Sequence, residues 1–275
     1  MVNFCAGTGI LFSFAATILL VFVHITQITP SLIPRHLRIV AIDTSGLSTA
    51  FAAAAKTSGV SIATGNFSDI YNTQPVGQGY FVKGQNESRH DGLRKTYEWG
   101  LWSYCSTNGN IGSPRSYCID RSINERFEPA QVLMEDIPTR YSDLLQKVLP
   151  SNVFTADHYL GSYTEGASYV ILAGSLATAL AALIGLFARR GAFILACLLS
   201  IVGFFGLAVG AVIYQVIYTR AQDAINQATT SGVDLGITLE YGNALWILWA
   251  ATGLMLLAIV PYAVACCTGR HDRAY

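Results

Sequence analysis

The chain has 275 residues, of which 52% are hydrophobic and 12% are charged, and its 17 basic residues balance 17 acidic ones. Soluble domains carry about 25% charged residues, so this composition argues against a soluble globular protein. Zero net charge gives no support for a nucleic-acid partner, which requires a basic face to offset phosphate charge. Residues 30–165 hold 12 of the 17 Lys and Arg and 13 of the 17 Asp and Glu. The sequence therefore predicts a membrane protein with one large hydrated loop.

Four apolar stretches predict membrane-spanning helices, each of which needs about 20 consecutive apolar residues. They contain no Asp, Glu, Lys or Arg and cover residues 6–28, 166–188, 192–218 and 245–267. The first could instead be a signal peptide, but it has no basic region before it and no clear small-residue cleavage site. We therefore expect it to be retained as a helix.

The short loops predict the orientation, because cytosolic loops carry an excess of Lys and Arg. The turn 189–191 and the tail 268–275 together carry four Arg, whereas residues 219–244 carry one. Both termini are therefore expected in the cytosol, with residues 1–29 forming the N-terminus and first helix. Residues 30–165 and 219–244 are then the two extracellular loops.

Two glycosylation motifs agree with an outward large loop. Asn66 and Asn86 each begin an Asn-x-Ser triplet, which is an acceptor for N-linked glycan in an outward-facing segment. Such triplets also arise by chance, so the sequence leaves open whether either site carries glycan.

The first part of the large loop, residues 41–80, is rich in Ala, Ser, Thr and Gly and is expected to pack loosely. Within it, the run Phe-Ala-Ala-Ala-Ala-Lys at residues 51–56 favours a helix. The flanking Gly46 and Gly59 limit this helix to about three turns.

The middle of the large loop predicts a β-hairpin. Alternating aromatic residues precede Cys105, and an interval rich in Asn and Gly leads to Cys118. A disulfide between these two cysteines would close the hairpin, because the cysteines at 5, 197, 266 and 267 lie in or beside the predicted membrane spans. Closing a loop of this size stabilises by about 3 kcal/mol on the chain-entropy model. The predicted fold class is an all-α transmembrane four-helix bundle with a large extracellular, disulfide-stapled α/β loop domain.

An amphipathic run follows between residues 127 and 162. Its apolar residues recur at three- and four-residue steps, at Val132, Leu133, Ile137, Tyr141, Leu144, Leu145 and Val148. Pro138 interrupts the run, so two short helices are predicted. We expect their apolar face to rest on the hairpin, because Glu135, Asp136 and Asp143 would oppose docking on an anionic membrane surface.

No pattern typical of catalysis, cofactor binding or metal binding is present. The sequence has no Gly-rich phosphate loop, HExxH, GxSxG or CxxC motif, so we predict a non-enzymatic protein without a cofactor or metal. His24 and Gln27, near the outer end of the first span, are expected to be interface residues or interhelical hydrogen-bond partners rather than a proton relay.

Cysteines and glycines in the spans indicate two further features. Cys266 and Cys267 end the last span beside the cytosol, where reversible palmitoylation acts; the alternative is that they are small apolar residues at a helix end. Gly203, Gly206 and Gly210 permit close helix approach. We favour packing inside one bundle over packing between neighbouring copies.

One short segment resembles a known signature. The run Gly-Leu-Trp-Ser-Tyr-Cys, with a second cysteine downstream, is similar to the G-L-W-x-x-C…C motif of claudin-like tetraspan proteins. The motif residues, with the preceding tryptophan, are Trp99, Gly100, Leu101, Trp102, Cys105 and Cys118. The four spans and the very large first loop look most like the fungal SUR7/PalI family. The wide cysteine spacing departs from claudins, and the short tail departs from PalI-type members.

The resemblance implies a non-enzymatic, multi-pass plasma-membrane protein that organises cortical domains of eisosome type and supports cell-wall organisation and endocytosis. Its implied partners are membrane lipids, further copies of itself or other cortical membrane proteins, and the cell wall. The resemblance leaves open an accessory role in ambient-pH sensing, of PalI type, or a claudin-like regulation of cation influx. His36, His90 and His158 could titrate in such a sensor, although scattered histidines are more often ordinary surface residues.

Overall fold

The computed structural model describes residues 2–28, 32–58, 67–72, 92–109, 116–119, 126–149, 157–187, 190–230 and 235–268. Asn66 and Asn86 lie outside these described residues, as does the side chain of Cys267. The chain divides into two compact units. The helix unit comprises Met1–His24, Gly166–Tyr214 and Ala244–Tyr275, and the sheet unit comprises Ile25–Glu165 and Gln215–Asn243.

The described residues form α-helices, β-strands and short 3₁₀ turns. The helices are α1 (Val2–His24), α2 (Leu32–His36), α3 (Leu47–Ser58), α4 (Pro129–Asp136), α5 (Ser142–Val148), α6 (Asp157–Gly185), α7 (Arg190–Thr230) and α8 (Asn243–Thr268). The strands are β1 (Val40–Asp43), β2 (Thr96–Trp99), β3 (Tyr104–Thr107), β4 (Ser116–Cys118) and β5 (Thr238–Tyr241). The 3₁₀ turns are Phe67–Ile70 and Thr139–Tyr141.

Within the described ranges, four helices are long and apolar enough to cross a membrane. The candidate spans are Ala6–His24, Leu160–Gly185, Gly191–Gln227 and Asn243–Cys266. Each contains most of one predicted apolar stretch. Their outward surfaces carry large apolar side chains, including Leu11, Phe14, Leu176, Leu198, Phe205 and Leu257, as expected for helices whose solvent is lipid.

Three helix boundaries differ clearly from the predicted spans. The second long helix, α6, begins at Asp157, before the predicted start at residue 166. The first helix ends at His24, before the predicted end at residue 28, because the following residues turn and bond to the sheet unit. The third continues to Thr230, beyond the predicted end at residue 218. Residues 219–230 contain no Gly or Pro that would end it. The predicted second loop is therefore partly helical, and it also contains β5.

The five strands form one antiparallel sheet with the order β4-β3-β2-β1-β5. The predicted hairpin is present as β3 paired with β4. The aromatic run before Cys105 is not one strand, however, because a turn closed by Gly100 and Ser103 divides it between β2 and β3. Four strands come from the large loop, and β5 comes from the segment between α7 and α8. Strand β1 therefore lies between neighbours that are distant in sequence, with Val40 opposite both Trp99 and Tyr241.

Aromatic side chains pack on one face of the sheet. Trp99 lies at the centre, with its ring centroid 5.5 Å from that of Tyr104 and 5.2 Å from that of Phe127. Phe127 in turn packs edge-on against Tyr218 of α7 at 5.1 Å. These contacts bury the aromatic rings that alternate along β2 and β3, as the two-residue period of a strand requires.

The expectation of loose packing after residue 41 is wrong for the described part of that segment. Phe51 of α3 is fully buried, and its ring packs edge-on against Phe67 at 6.1 Å. Tyr141 completes the cluster, with its ring 5.8 Å from that of Phe67. Large residues are few here, but they meet at one point and form a core.

The amphipathic run forms two helices, α4 and α5, separated at Pro138 as predicted. All seven residues of the predicted apolar face are buried. Helix α5 packs against α3, which differs from the predicted contact of this face with the hairpin. The reason is the aromatic cluster of Phe51, Phe67 and Tyr141, which draws α3 and α5 together.

Side-chain hydrogen bonds join the helices of the helix unit. They connect the Ser13 and Tyr262 hydroxyls at 2.9 Å, His24 Nε2 and the Ser175 hydroxyl at 2.9 Å, and the Ser168 and Tyr214 hydroxyls at 2.6 Å. Helix α6 takes part in two of the three bonds. His24 is therefore an interhelical partner, one of the two roles expected for it.

Candidate functional site

The signature residues lie at the turn between β2 and β3. Trp99 ends β2, and Tyr104 begins β3. The backbone N–H of Gly100 donates to the carbonyl of Ser103 at 2.9 Å, which closes the turn. The strands on either side are rich in aromatic residues and threonine, which favour extended structure.

This turn packs on Thr26 and Gln27, the residues that follow α1. The backbone N–H of Leu101 donates to the Thr26 hydroxyl at 3.0 Å, and the Ser103 hydroxyl donates to the carbonyl of Gln27. Gly100 has no room for a side chain, because a Cβ would lie 2.7 Å from the Thr26 carbonyl carbon. The signature therefore fastens the sheet to the chain directly after the first helix.

Gln27 is the most heavily bonded residue of this contact. Its backbone adopts φ +50°, a left-handed conformation that is uncommon for residues other than glycine. Its side-chain amide donates to Leu37 O at 3.0 Å and to the Glu98 carboxylate at 2.9 Å. Its backbone N–H donates to Pro34 O at 3.2 Å. These bonds hold the residue in its left-handed conformation.

Glu98 is a buried carboxylate in the middle of the sheet, with 3% of its surface exposed. It lies opposite Cys105 on one side and Ala41 on the other. Burying a carboxylate is costly unless it accepts hydrogen bonds, and the Gln27 amide supplies one. The strand period separates Glu98 from the aromatic face that carries Trp99.

Cys105 and Cys118 form a disulfide that links β3 to β4. The two residues are direct partners in the strand register. Both are almost fully buried, at 2% and 1% exposure. The bond therefore lies inside the sheet unit, on the same face as Glu98.

Gly203, Gly206 and Gly210 of α7 face α6 within the same chain. A Cβ at Gly206 would lie 3.1 Å from the Cα of Gly174, and one at Gly203 would lie 2.8 Å from the Thr178 hydroxyl. A Cβ at Gly210 would collide with the Ile171 side chain. This close approach uses the absence of side chains for packing inside the bundle.

Cys266 is half-buried and packs against a cluster of buried residues at one end of the helix unit. The cluster comprises Ala6, Phe193, Ala196, Ala258, Tyr262 and Ala265. Its thiol thus contributes to helix packing, which corresponds to the alternative to palmitoylation. Among the described residues, no three His, Cys, Asp or Glu side chains come together as a metal site.

The partners of the signature turn are not evident in the sequence. In the sequence, Thr26 and Gln27 stand at the end of an apolar stretch, and Glu98 stands between two aromatic residues. The one available signal is that Gln27 and Glu98 are polar residues in strongly apolar surroundings. Such residues are buried only with a partner.

Comparison with known proteins gives one family. The model described as "SUR7/PalI family" matches residues 5–260, from α1 into α8. Among curated proteins, none matches the chain.

Proposed function

Since the chain belongs to the SUR7/PalI family, a family of non-enzymatic membrane proteins, we propose that it organises domains of the plasma membrane. The domains would be cortical patches of eisosome type, and the protein would support cell-wall organisation and endocytosis. Four candidate spans make it a multi-pass membrane protein. Membrane lipids are then its first partners, and other cortical membrane proteins or further copies are its proposed protein partners.

One observation carries this proposal: the signature residues are used to hold the protein together. Leu101 and Ser103 bond to Thr26 and Gln27, and Gly100 packs on the same backbone. A catalytic or transport site needs polar groups directed at a substrate. Here the polar groups of the motif bond to Thr26 and Gln27 inside the sheet unit, which supports a structural role.

The glycine contacts limit how copies would assemble. Gly203, Gly206 and Gly210 already pack against α6. We therefore propose that lateral assembly uses the apolar outer helix surfaces or the sheet unit. In this view the sheet unit is a claudin-like domain outside the cell that is available to wall polymers or sister proteins. The disulfide and the position of the motif on adjacent strands support the comparison with claudins.

The orientation is part of the same proposal. Both termini would lie in the cytosol, and residues 30–165 and 219–244 would lie outside. A glycosidase-sensitive mass shift that is lost in an Asn66→Gln/Asn86→Gln variant would support this orientation. Protease added to sealed cells should cut the large loop and leave a tag at residue 275 intact. Loss of the tag with an intact loop would invert the orientation.

Imaging tests the organiser role. A fluorescently tagged chain in a fungal host should form static clusters at the cell surface that recover slowly after photobleaching. In the Gly100→Val variant the clusters should disperse, or the protein should remain inside the cell, because the turn can no longer pack on Thr26. Gly166→Ala is the matched control, since a Cβ there meets no atom within 4 Å. A uniformly mobile wild-type protein would contradict the proposal.

Capture of the intact complex in mild detergent separates this role from the accessory role in pH sensing or cation influx. Cortical scaffold proteins among the partners would support the organiser. A signalling receptor or channel as the main partner would instead favour the accessory role. In that case, replacing His36, His90 and His158 should change the alkaline response of the cell if pH sensing is the activity.

A further inference from the structure

Helix α2 presents an apolar side chain to its surroundings. Ile33 is 56% exposed, and within the described sheet unit it is the one mainly exposed large apolar side chain outside the candidate spans. Exposing such a side chain to water opposes the hydrophobic effect. Some apolar environment is therefore expected to cover it.

Hydrogen bonds hold α2 beside the residues that adjoin two candidate spans. On one side, Gln27 donates from its backbone to Pro34 O at 3.2 Å and from its side chain to Leu37 O at 3.0 Å. Gln27 is three residues beyond the candidate span that ends at His24.

The other side of α2 is bonded to Asn243, the first residue of another candidate span. The Asn243 side-chain amide donates to His36 O at 2.9 Å, and its side-chain oxygen accepts from the Arg38 N–H at 3.2 Å. Gly242 permits the approach, because a Cβ there would collide with the Arg38 carbonyl. The segment of α2 is thus bonded to the first residue of one candidate span and to the third residue after another.

The sequence of α2 and of the two residues after it is basic. Residues 32–38 contain Arg35, His36 and Arg38 and no Asp or Glu. Basic residues beside an apolar side chain are typical of segments that lie in the interface of a bilayer.

We propose that α2 lies in the headgroup layer of the membrane. Ile33 contacts the acyl-chain boundary, and the basic residues of this segment lie at the depth of the lipid phosphate groups. The occupant of this surface is thus lipid, which fits the bonds to Gln27 and Asn243, the exposed isoleucine and the absence of Asp and Glu from residues 32–38. This inference does not depend on the organiser role, because it concerns only a multi-pass membrane protein.

Spin-label accessibility tests the position of α2 in the full chain. Cys5, Cys197, Cys266 and Cys267 are replaced by alanine, the disulfide is kept, and a nitroxide is attached at Ile33→Cys in nanodiscs of phosphatidylcholine and phosphatidylserine. The matched site is Thr49→Cys, which is exposed on α3. The ratio of oxygen to water-soluble nickel accessibility should be several-fold higher at position 33. Equal ratios at the two sites would overturn the proposal.

Lipid photocrosslinking tests the same position without a label on the protein. A phosphatidylcholine with a photoactivatable headgroup should label the peptide that contains residues 32–38 and leave the α3 peptide unlabelled. Arg35→Gln should reduce this labelling several-fold, whereas Lys56→Gln on α3 should not. No lipid crosslink on this peptide, or no effect of Arg35→Gln, would each overturn the proposal.

Discussion

Gly100 packs directly on the backbone of Thr26, with a Cβ excluded by the Thr26 carbonyl group. Thr26 lies two residues after α1, and Gly100 lies between two strands of the sheet. The glycine of the signature therefore has a steric role rather than a chemical one. It permits the turn to reach the hydroxyl of Thr26.

Gly100→Ala should destabilise the sheet unit by about 2–3 kcal/mol, because the added methyl group forces apart two backbones that cannot easily shift. Chemical unfolding in detergent, followed by tryptophan fluorescence, measures the change. Gly166→Ala, in open space, should leave the unfolding curve unchanged. Equal stability of the two variants would show that the turn can move away from Thr26.

Gln27→Glu places a second carboxylate against Glu98 in a buried site. We expect it to cost about 3 kcal/mol or more near neutral pH, because two buried like charges lack compensation. The loss should shrink as the pH falls, since a protonated Glu can again donate to Glu98. Adding Glu98→Gln should restore stability at neutral pH, and failure of this rescue would contradict the observed amide-to-carboxylate bond.

Tyr141→Phe tests a buried hydroxyl that donates to the Asp69 carboxylate at 2.9 and 3.0 Å. At neutral pH the variant should lose about 1 kcal/mol, the net value of one hydrogen bond. Burial, with help from the bond to Asp69, raises the pKa of Tyr141 above its ordinary value of 10.0. The folded state therefore retains this proton more tightly than the unfolded state.

The sign of the resulting pH dependence follows from linkage. The stabilisation from Tyr141 is fully present below about pH 10 and is lost as the pH rises through the raised pKa. Burial also raises the pKa of Tyr71, so that residue contributes with the same sign. Unfolding free energies measured from neutral to strongly alkaline pH should decline less steeply in Tyr141→Phe. An unchanged slope would count against a proton held at Tyr141.

Replacing both Cys105 and Cys118 by alanine should lower the stability of the sheet unit by about 3 kcal/mol on the chain-entropy model. Because the disulfide is buried, a mild reductant should not open it in the folded protein. Counting reactive thiols with and without denaturant measures this protection. Reduction at the same rate in both conditions would show that the bond is accessible.

Gly206→Leu should separate α6 from α7 and lower the thermal midpoint in detergent, because Gly206 packs against the backbone of Gly174. Gly253→Leu is the control, since a Cβ at that helix position meets no atom within 4 Å. Particle size should be read alongside the melting curve. Normal melting with loss of an oligomer would instead place Gly206 between copies of the chain.

The features that sequence predicted are those with local causes. Charge-free runs predict the four long helices, Pro138 separates α4 from α5, and aromatic alternation predicts the hairpin that ends in Cys118. The resemblance to the SUR7/PalI family is also confirmed. Each rests on residues close together in the chain, where pattern and propensity are informative.

The rest depends on contacts between distant residues. Strand β5 has only four residues, Thr238–Tyr241, and its pairing with β1 joins segments almost 200 residues apart. In the sequence Gln27 stands at the end of an apolar stretch, and its bond to Glu98 is evident only in the folded structure. Tertiary partners of this kind override local preference, so no local pattern could have placed them.

The place of β1 between β2 and β5 also bears on how the protein could be divided. A chain cut between residues 72 and 92 would leave β1 on the first piece and both of its neighbours on the second. The backbone pairs on either side of β1, and the bonds of Gln27 to the second piece, would remain available without a peptide link. Two separately translated polypeptides should therefore reassociate into one folded protein and could serve as a split-protein pair.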